Sequence, residues 1–198
     1  MPNHLLVFIK NPRLGYVKTR LARTVGEAEA LRIYRVLLEK TRRAALGTAA
    51  RRWLFYSDFI EKRDGWRARD FTKRVQAQSP DLGLRMADAF REAFAAGAKR
   101  AVIIGSDCPQ LSPEILRAAF QQLENEDFVL GPATDGGYYL LGMRAFRPEV
   151  FHGVAWSTEA VFEQTMQRIH ALGTSVALLP ELTDVDTEAD WVRVMSDE

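Results

Sequence analysis

An open α/β fold, with a mainly parallel sheet and helices on both faces, is predicted by three observations. Short apolar runs alternate with segments of helical period. The first strand candidate, "HLLVFI", is apolar almost without interruption, as a strand buried on both faces must be. No repeat, low-complexity stretch or linker interrupts the 198 residues, a length that suits one domain over 1–198, since cores usually split only beyond about 250 residues.

The elements follow in order. "HLLVFI" (4–9) reads as a strand, and residues 27–46 as a helix with Leu31, Tyr34, Leu38 and Ala45 on one stripe. "RRWLFYS" (51–57) and "FTKRVQA" (71–77) read as strands, 82–97 as a helix ending at a glycine, and "RAVIIG" (100–105) as the next strand. The helix over 112–125 begins with Ser112 as N-cap and Pro113 in the first turn. Strands "DFVLGP" and "GYYLLGM" come next, the second a candidate antiparallel member, then a helix over 158–173, strand "SVALLP", and the tail "ELTDVDTEADW".

Composition excludes little: 47% apolar and 27% charged residues fit an enzyme or a binding module. A net charge of +1 argues against a nucleic-acid partner, which calls for a strongly basic face. No apolar stretch approaches the roughly 20 residues that span a bilayer, and "MPNHLLVFIKNPR" has too short an apolar run for a secretory signal. A cytoplasmic protein without a membrane partner is therefore expected. Its single cysteine can form no internal disulfide and no thiolate-rich zinc site, so any metal would rest on oxygen ligands or the three histidines.

Ligands of open α/β sheets bind beyond the carboxyl ends of the strands, which directs attention to the loops 10–20, 105–109 and 131–137. The first carries Lys10, Arg13, Lys18 and Arg20, with no Asp or Glu before Glu27. Gly15 permits a tight turn, and Lys and Arg supply donors for phosphate oxygens, so a di- or triphosphate is the ligand this loop suits. A merely solvated basic loop is the alternative. Neither G-x-x-x-x-G-K-[ST] nor G-x-G-x-x-G is present.

Asp107 follows a strand and a Gly-Ser turn, which aims it at the same crevice, with Ser106 beside it as a further phosphate contact. Magnesium favours one or two carboxylates plus phosphate oxygens and water, and Asp184 and Asp186 of "DVDT" are the candidates to complete the set. Two readings stand for Asp186, ligand or helix cap, because Thr187 and Asp190 match a capping box. In "TDGGYY", Asp135 opens a turn, while Gly136 and Gly137 allow close approach to a substrate and Tyr138 or Tyr139 could stack on a base or sugar. Cys108 has no histidine at a telling spacing and reads as a small buried thiol.

Six stretches in order, "KNPRLGYVKTRL", "DLGLRM", "GSDCPQLSPEIL", "GPATDGGYYLLGMR", "WSTEAVFEQT" and "DVDTEAD", resemble the bacterial family DUF2064, whose members are labelled glycosyltransferase-like or arsenosugar-biosynthesis glycosyltransferases. The resemblance covers nearly the whole chain. It implies the nucleotide-diphospho-sugar transferase (GT-A-like) fold, which is Rossmann-related. The first loop and G-S-D-x-P also resemble phospholactate guanylyltransferases and molybdenum-cofactor nucleotidylyltransferases. In that wider group the acid after the middle strand holds the metal that bridges donor phosphates, which maps to Asp107, and the C-terminal D-x-D-T adds a ligand, which maps to Asp186 with Asp184 beside it. Where many sugar transferases carry D-x-D, this chain has G-S-D, with one carboxylate.

The resulting expectation is a transferase that takes a nucleotide or nucleotide sugar and a small-molecule acceptor, assisted by Mg2+ or Mn2+. Glycosyl transfer stands first, nucleotidyl transfer with pyrophosphate release second, and a non-catalytic nucleotide-binding module third. Lys18 would neutralise charge on the leaving group, and Asp135 would contact or deprotonate the acceptor hydroxyl.

Overall fold

The computed structural model describes residues 1–196, so the last two residues of the expected domain over 1–198 lie outside the described residues. Seven strands in one sheet are found among the described residues: β1 (Asn3–Ile9), β2 (Arg51–Tyr56), β3 (Thr72–Val75), β4 (Arg100–Ile104), β5 (Phe128–Pro132), β6 (Tyr138–Met143) and β7 (Val176–Leu178). Their order is β3-β2-β1-β4-β6-β5-β7. Only β6 runs antiparallel to its neighbours, as "GYYLLGM" suggested.

Helices α1 (Thr19–Val25), α2 (Glu27–Leu46), α4 (Pro113–Gln122) and α6 (Glu188–Ser196) cover one face; α3 (Leu82–Ala95) and α5 (Val161–Ala171) cover the other. The alternation of β1 divides the core accordingly. Leu5, Val7 and Ile9 pack with Ile33 and Leu37 of α2 and Leu116 of α4, whereas Leu6 packs with Met86 and Phe90 of α3. An apolar run without polar interruption follows from burial on both sides. No helix among the described residues is long and apolar enough to cross a membrane.

Three differences from the sequence reading bear on the site. The basic segment read as a loop contains α1, whose seven residues fully bury only Leu21 and so carry no legible helical period. The helix expected over 158–173 begins at Val161, because Ser157 adopts φ 65° and the residues after it form a turn. The strand expected over 175–180 keeps only Val176–Leu178; beyond it the tail folds back across the sheet end. There Leu182 N–H donates to the Pro132 carbonyl at 3.1 Å, Thr183 N–H to Gln110 Oε1 at 3.0 Å, and Val185 N–H to the Asp107 carbonyl at 3.0 Å. "DVDT" is thereby bound to the loop after β4.

Gly131 of β5 lies under the Tyr139 ring, where an added Cβ would stand 2.3 Å from Cζ. The Tyr139 hydroxyl donates to the Pro180 carbonyl at 2.9 Å, so the ring also anchors the start of the tail. Gly131→Ala is expected to destabilise the protein by about 1–3 kcal/mol in urea unfolding. An unchanged midpoint would contradict this packing.

Candidate active site

From β1 the chain winds outward to β2 and β3, then returns to β4 on the other side of β1, so the strand order reverses between β1 and β4. A crevice at such a switch point is where open sheets bind ligands. Here it opens into a cavity of about 1580 Å³ lined by the loops after β1 to β4, the start of β6 and the tail. Tyr34 of α2 ties two of these loops together. Its hydroxyl donates to the Lys10 carbonyl at 3.0 Å, accepts from the Lys10 N–H at 2.9 Å, and lies 3.3 Å from the Ser106 hydroxyl.

Lys18 is the centre of the site. It precedes α1 in the left-handed conformation (φ 48°, ψ 46°), a strain of about 1–3 kcal/mol for a residue with a side chain. Its ammonium lies 2.5 Å from Asp107 Oδ1 and 3.4 Å from Asp186 Oδ1, and the side chain is only 5% exposed. Burial alone would lower its pKa. Asp107, Asp186 and Asp184 outweigh that and raise it, so the ammonium stays charged. Arg20 reaches the other oxygen of Asp186 at 3.1 Å.

The capping question at Asp186 has a geometric answer. Asp190 accepts from the Thr187 N–H at 2.8 Å, and the Asp190 N–H donates to the Thr187 hydroxyl at 3.3 Å, so these two residues form the reciprocal cap. The Asp186 carboxylate is left to the cations. Asp184 differs: it accepts a hydrogen bond from the Cys108 thiol, and burial pushes its carboxyl up to about 7, with like charge from Asp107 and Asp135 adding to the shift. Burial and Asp184 in turn push the thiol well up, consistent with an inert Cys108.

The basic loop divides. Lys10 lines the cavity, with no carboxylate in ion-pair range among the described residues. Arg13 pairs with Asp58 at 3.1 Å, lies over the Tyr16 ring and does not line the cavity. Gly15 forms the expected turn, at φ 76°, also away from the cavity. Ser106 is buried against Tyr34. Asp135 lines the cavity with one oxygen accepting from the Gly137 N–H at 2.8 Å. Gly136, Gly137 and Tyr138 line it too, and Gly136 is required there: at φ 85°, its Cβ would stand 2.3 Å from the Glu159 carbonyl oxygen.

Among the described residues no three His, Cys, Asp or Glu cluster as a ready metal site. Asp107 and Asp186 nevertheless converge on one cation, the Lys18 ammonium. A pair of oxygen donors of this kind fits a magnesium-like ion that takes its other ligands from phosphate and water.

Sequence reasoning passed over several lining residues. Gln76, buried at the end of β3, donates to the Ile9 carbonyl at 3.2 Å and the Phe55 carbonyl at 3.3 Å, and accepts from Arg85 Nη1 at 2.9 Å. It thus holds an arginine at the cavity that has no carboxylate partner among the described residues. Trp156, Ser157, Thr158 and Glu159 form the opposite wall, with Trp156 packed on Gly83 of α3. The signals were the stretches "DLGLRM" and "WSTEAVFEQT", present in the family resemblance but given no role.

Residues 40–158 match the model of DUF2064, described as an uncharacterized protein conserved in bacteria. The chain belongs to the DUF2064 family. A crystal structure from Desulfovibrio desulfuricans G20, provisionally assigned as a nucleotide-diphospho-sugar transferase, is 32% identical over 98% of this chain and 86% of that one, with a TM-score of 0.89. Rv0371c from Mycobacterium tuberculosis H37Rv in complex with manganese is 17% identical, covers both chains fully (100% and 100%) and has a TM-score of 0.54. CMP:2-keto-3-deoxy-manno-octonic acid synthetase complexed with CTP is 14% identical over 99% of this chain and 98% of that one, with a TM-score of 0.59. The last two likenesses establish the fold alone. No curated protein matches this DUF2064 chain.

The raised Asp184 pKa gives the DUF2064 protein a testable pH dependence. Folded, the carboxyl holds its proton up to about pH 7, whereas its ordinary value is 3.8. Between those values the folded state binds more protons, so stability falls as pH rises. Relative to Asp184→Asn, the native protein is expected to lose up to about 1.4 kcal/mol per pH unit between about pH 5 and pH 7. Parallel stability profiles would contradict the burial of this acid.

Proposed function

We propose that this DUF2064 protein transfers a glycosyl group from a nucleotide-diphosphate sugar to an acceptor hydroxyl, assisted by Mg2+ or Mn2+ at Asp107 and Asp186. The observation that carries this reading is the Lys18 ammonium held by both carboxylates at the β1–β4 crevice. A site that balances one enclosed cation against two acids is poised to exchange partners when a diphosphate arrives. Lys18 then turns to the phosphate oxygens, with Lys10 on the same wall, and the two carboxylates become available to the metal. Asp107 and Asp186 would hold a divalent cation, whose chemistry there would be to offset charge on the leaving diphosphate. On the acceptor side, Asp135 takes the hydroxyl proton in this reading, supported by its position in the cavity lining with one oxygen engaged by the Gly137 N–H.

Nucleotidyl transfer is the second reading, favoured by Lys10, Lys18 and Arg20 on one wall, a density that suits a triphosphate. The likeness of the fold to a synthetase complexed with CTP also speaks for it. Against it, Arg13 is engaged by Asp58 and Arg20 by Asp186, which leaves fewer free donors than the sequence count implies. Both readings share a nucleotide donor, a small-molecule acceptor and the same metal position.

Thermal-shift measurements with nucleotides and nucleotide sugars, with and without Mg2+ or Mn2+, test this reading. Stabilisation is expected with a nucleotide diphosphate and metal together. Asp107→Asn and Asp186→Asn are each expected to remove the metal-dependent part, and Lys18→Met to weaken nucleotide binding by about tenfold or more, roughly 1.4 kcal/mol. No stabilisation by any nucleotide would exclude both readings. Release of a nucleoside diphosphate from a nucleotide sugar identifies glycosyl transfer; pyrophosphate from a triphosphate identifies the alternative.

A further inference from the structure

Charge in the cavity is divided along the sheet. Toward β1, β2 and β3 stand Lys10, Lys18, Arg20 and Arg85. Past Asp107, the lining from the turn after β5, the loop 156–161 and the tail contains no Lys, Arg or His among the described residues. Its carboxyl groups are Asp135, Glu159, Asp184 and Asp186; Asp186 is paired with Lys18 and Arg20 and Asp184 accepts from the Cys108 thiol, which leaves Asp135 and Glu159 as the carboxylates with neither a cation nor a side-chain partner among the described residues. The half that faces away from the proposed phosphate position is therefore acidic, with Tyr138 and Trp156 as its aromatic surfaces.

This wall is built rather than incidental. The Phe162 N–H donates to the Gly136 carbonyl at 2.9 Å, and the absence of a side chain at Gly136 lets the Glu159 backbone press against it. Ser157 is held at φ 65°, a conformation that a residue with a side chain keeps only when its surroundings enforce it. The Asp135 turn and the 156–161 loop are thus joined through their backbones, which keeps Asp135 and Glu159 on the same wall of the cavity.

We propose that the acceptor is an uncharged polyhydroxylated molecule, and that Asp135 and Glu159 form a filter against phosphorylated and carboxylated acceptors. The inference rests on the proposed reading that donor phosphates lie on the Lys10–Lys18 side. An acceptor hydroxyl can donate to Asp135 and Glu159 while its carbon face lies on Tyr138 or Trp156, the way sugars are held on aromatic rings. A phosphomonoester would meet carboxylates with no cation to offset them, a repulsive arrangement of the kind that excludes wrong partners. The filter also separates the two candidate reactions, because transfer of a nucleotidyl group to a phosphorylated acceptor needs cations on this wall.

Saturation-transfer NMR on the protein loaded with a nucleoside diphosphate and Mg2+ tests the proposal. The probes are glycerol, glucose, galactose and mannose, each against its monophosphate. At least one neutral probe is expected to bind at least tenfold more tightly than its phosphate, and Glu159→Lys to reduce that ratio about tenfold. A phosphate that binds as well as its neutral partner, or no neutral probe binding to the loaded protein, overturns the proposal. Glu159→Gln provides a second variant that removes the charge without adding bulk; an unchanged ratio in both variants overturns the role of Glu159. Loading is checked first by calorimetry, and failure there counts against the donor reading rather than the filter.

Discussion

Taking the Lys18 ammonium out of water costs several kcal/mol unless carboxylates stand beside it, and those carboxylates come from distant parts of the chain. Asp107 arrives on the loop after β4, and Asp186 on a tail that has crossed the sheet end. The cation between them offsets the repulsion of the two acids. The enclosed charge therefore joins the first loop to the central loop and the tail, which backbone hydrogen bonds already hold to each other.

The sheet order serves that constraint. Because β1 lies between β2 and β4, the loop that follows β1 sits over the crevice from which Asp107 projects. Tyr34 then fastens the first loop to Ser106, and Val185 N–H bonded to the Asp107 carbonyl sets the tail at the height of the same loop. Strain is concentrated where it is useful. Among the described residues, Lys18 and Ser157 are the non-glycine residues at positive φ, and both line the cavity. Such positions hold a ligand site rigid at the expense of stability.

How far the site was legible in the sequence depended on the range of the interactions. Asp107 was legible because an apolar strand and a Gly-Ser turn are local patterns that fix where the next side chain goes. Its association with Asp186 was legible only as a candidacy, an acid after a strand and before a short helix that the family resemblance supported, since no periodicity encodes a contact between residues so far apart. The same limit explains Arg13 and Arg20, which counted as free cations until the fold brought them to Asp58 and Asp186. The capping box at Thr187 and Asp190 was readable, yet the sequence could not say that it released Asp186. The helical period of "TEAVFEQT" concealed a turn, because it is the Glu159 backbone packed on Gly136 that delays the helix to Val161. Gln76 had no local signature: a buried carboxamide reveals its role only through the groups that surround it, here the Ile9 and Phe55 carbonyls and Arg85.

The central claim is that Lys18 and Asp107 act as one unit rather than as neighbouring surface charges. A double-mutant cycle with Lys18→Met and Asp107→Asn, read as urea-unfolding free energies of the ligand-free protein, measures this directly. The account predicts a coupling of about 1–3 kcal/mol, with the double variant less destabilised than the sum of the single ones. Additive effects would contradict it, and would reduce the pair to a surface ion pair of little consequence.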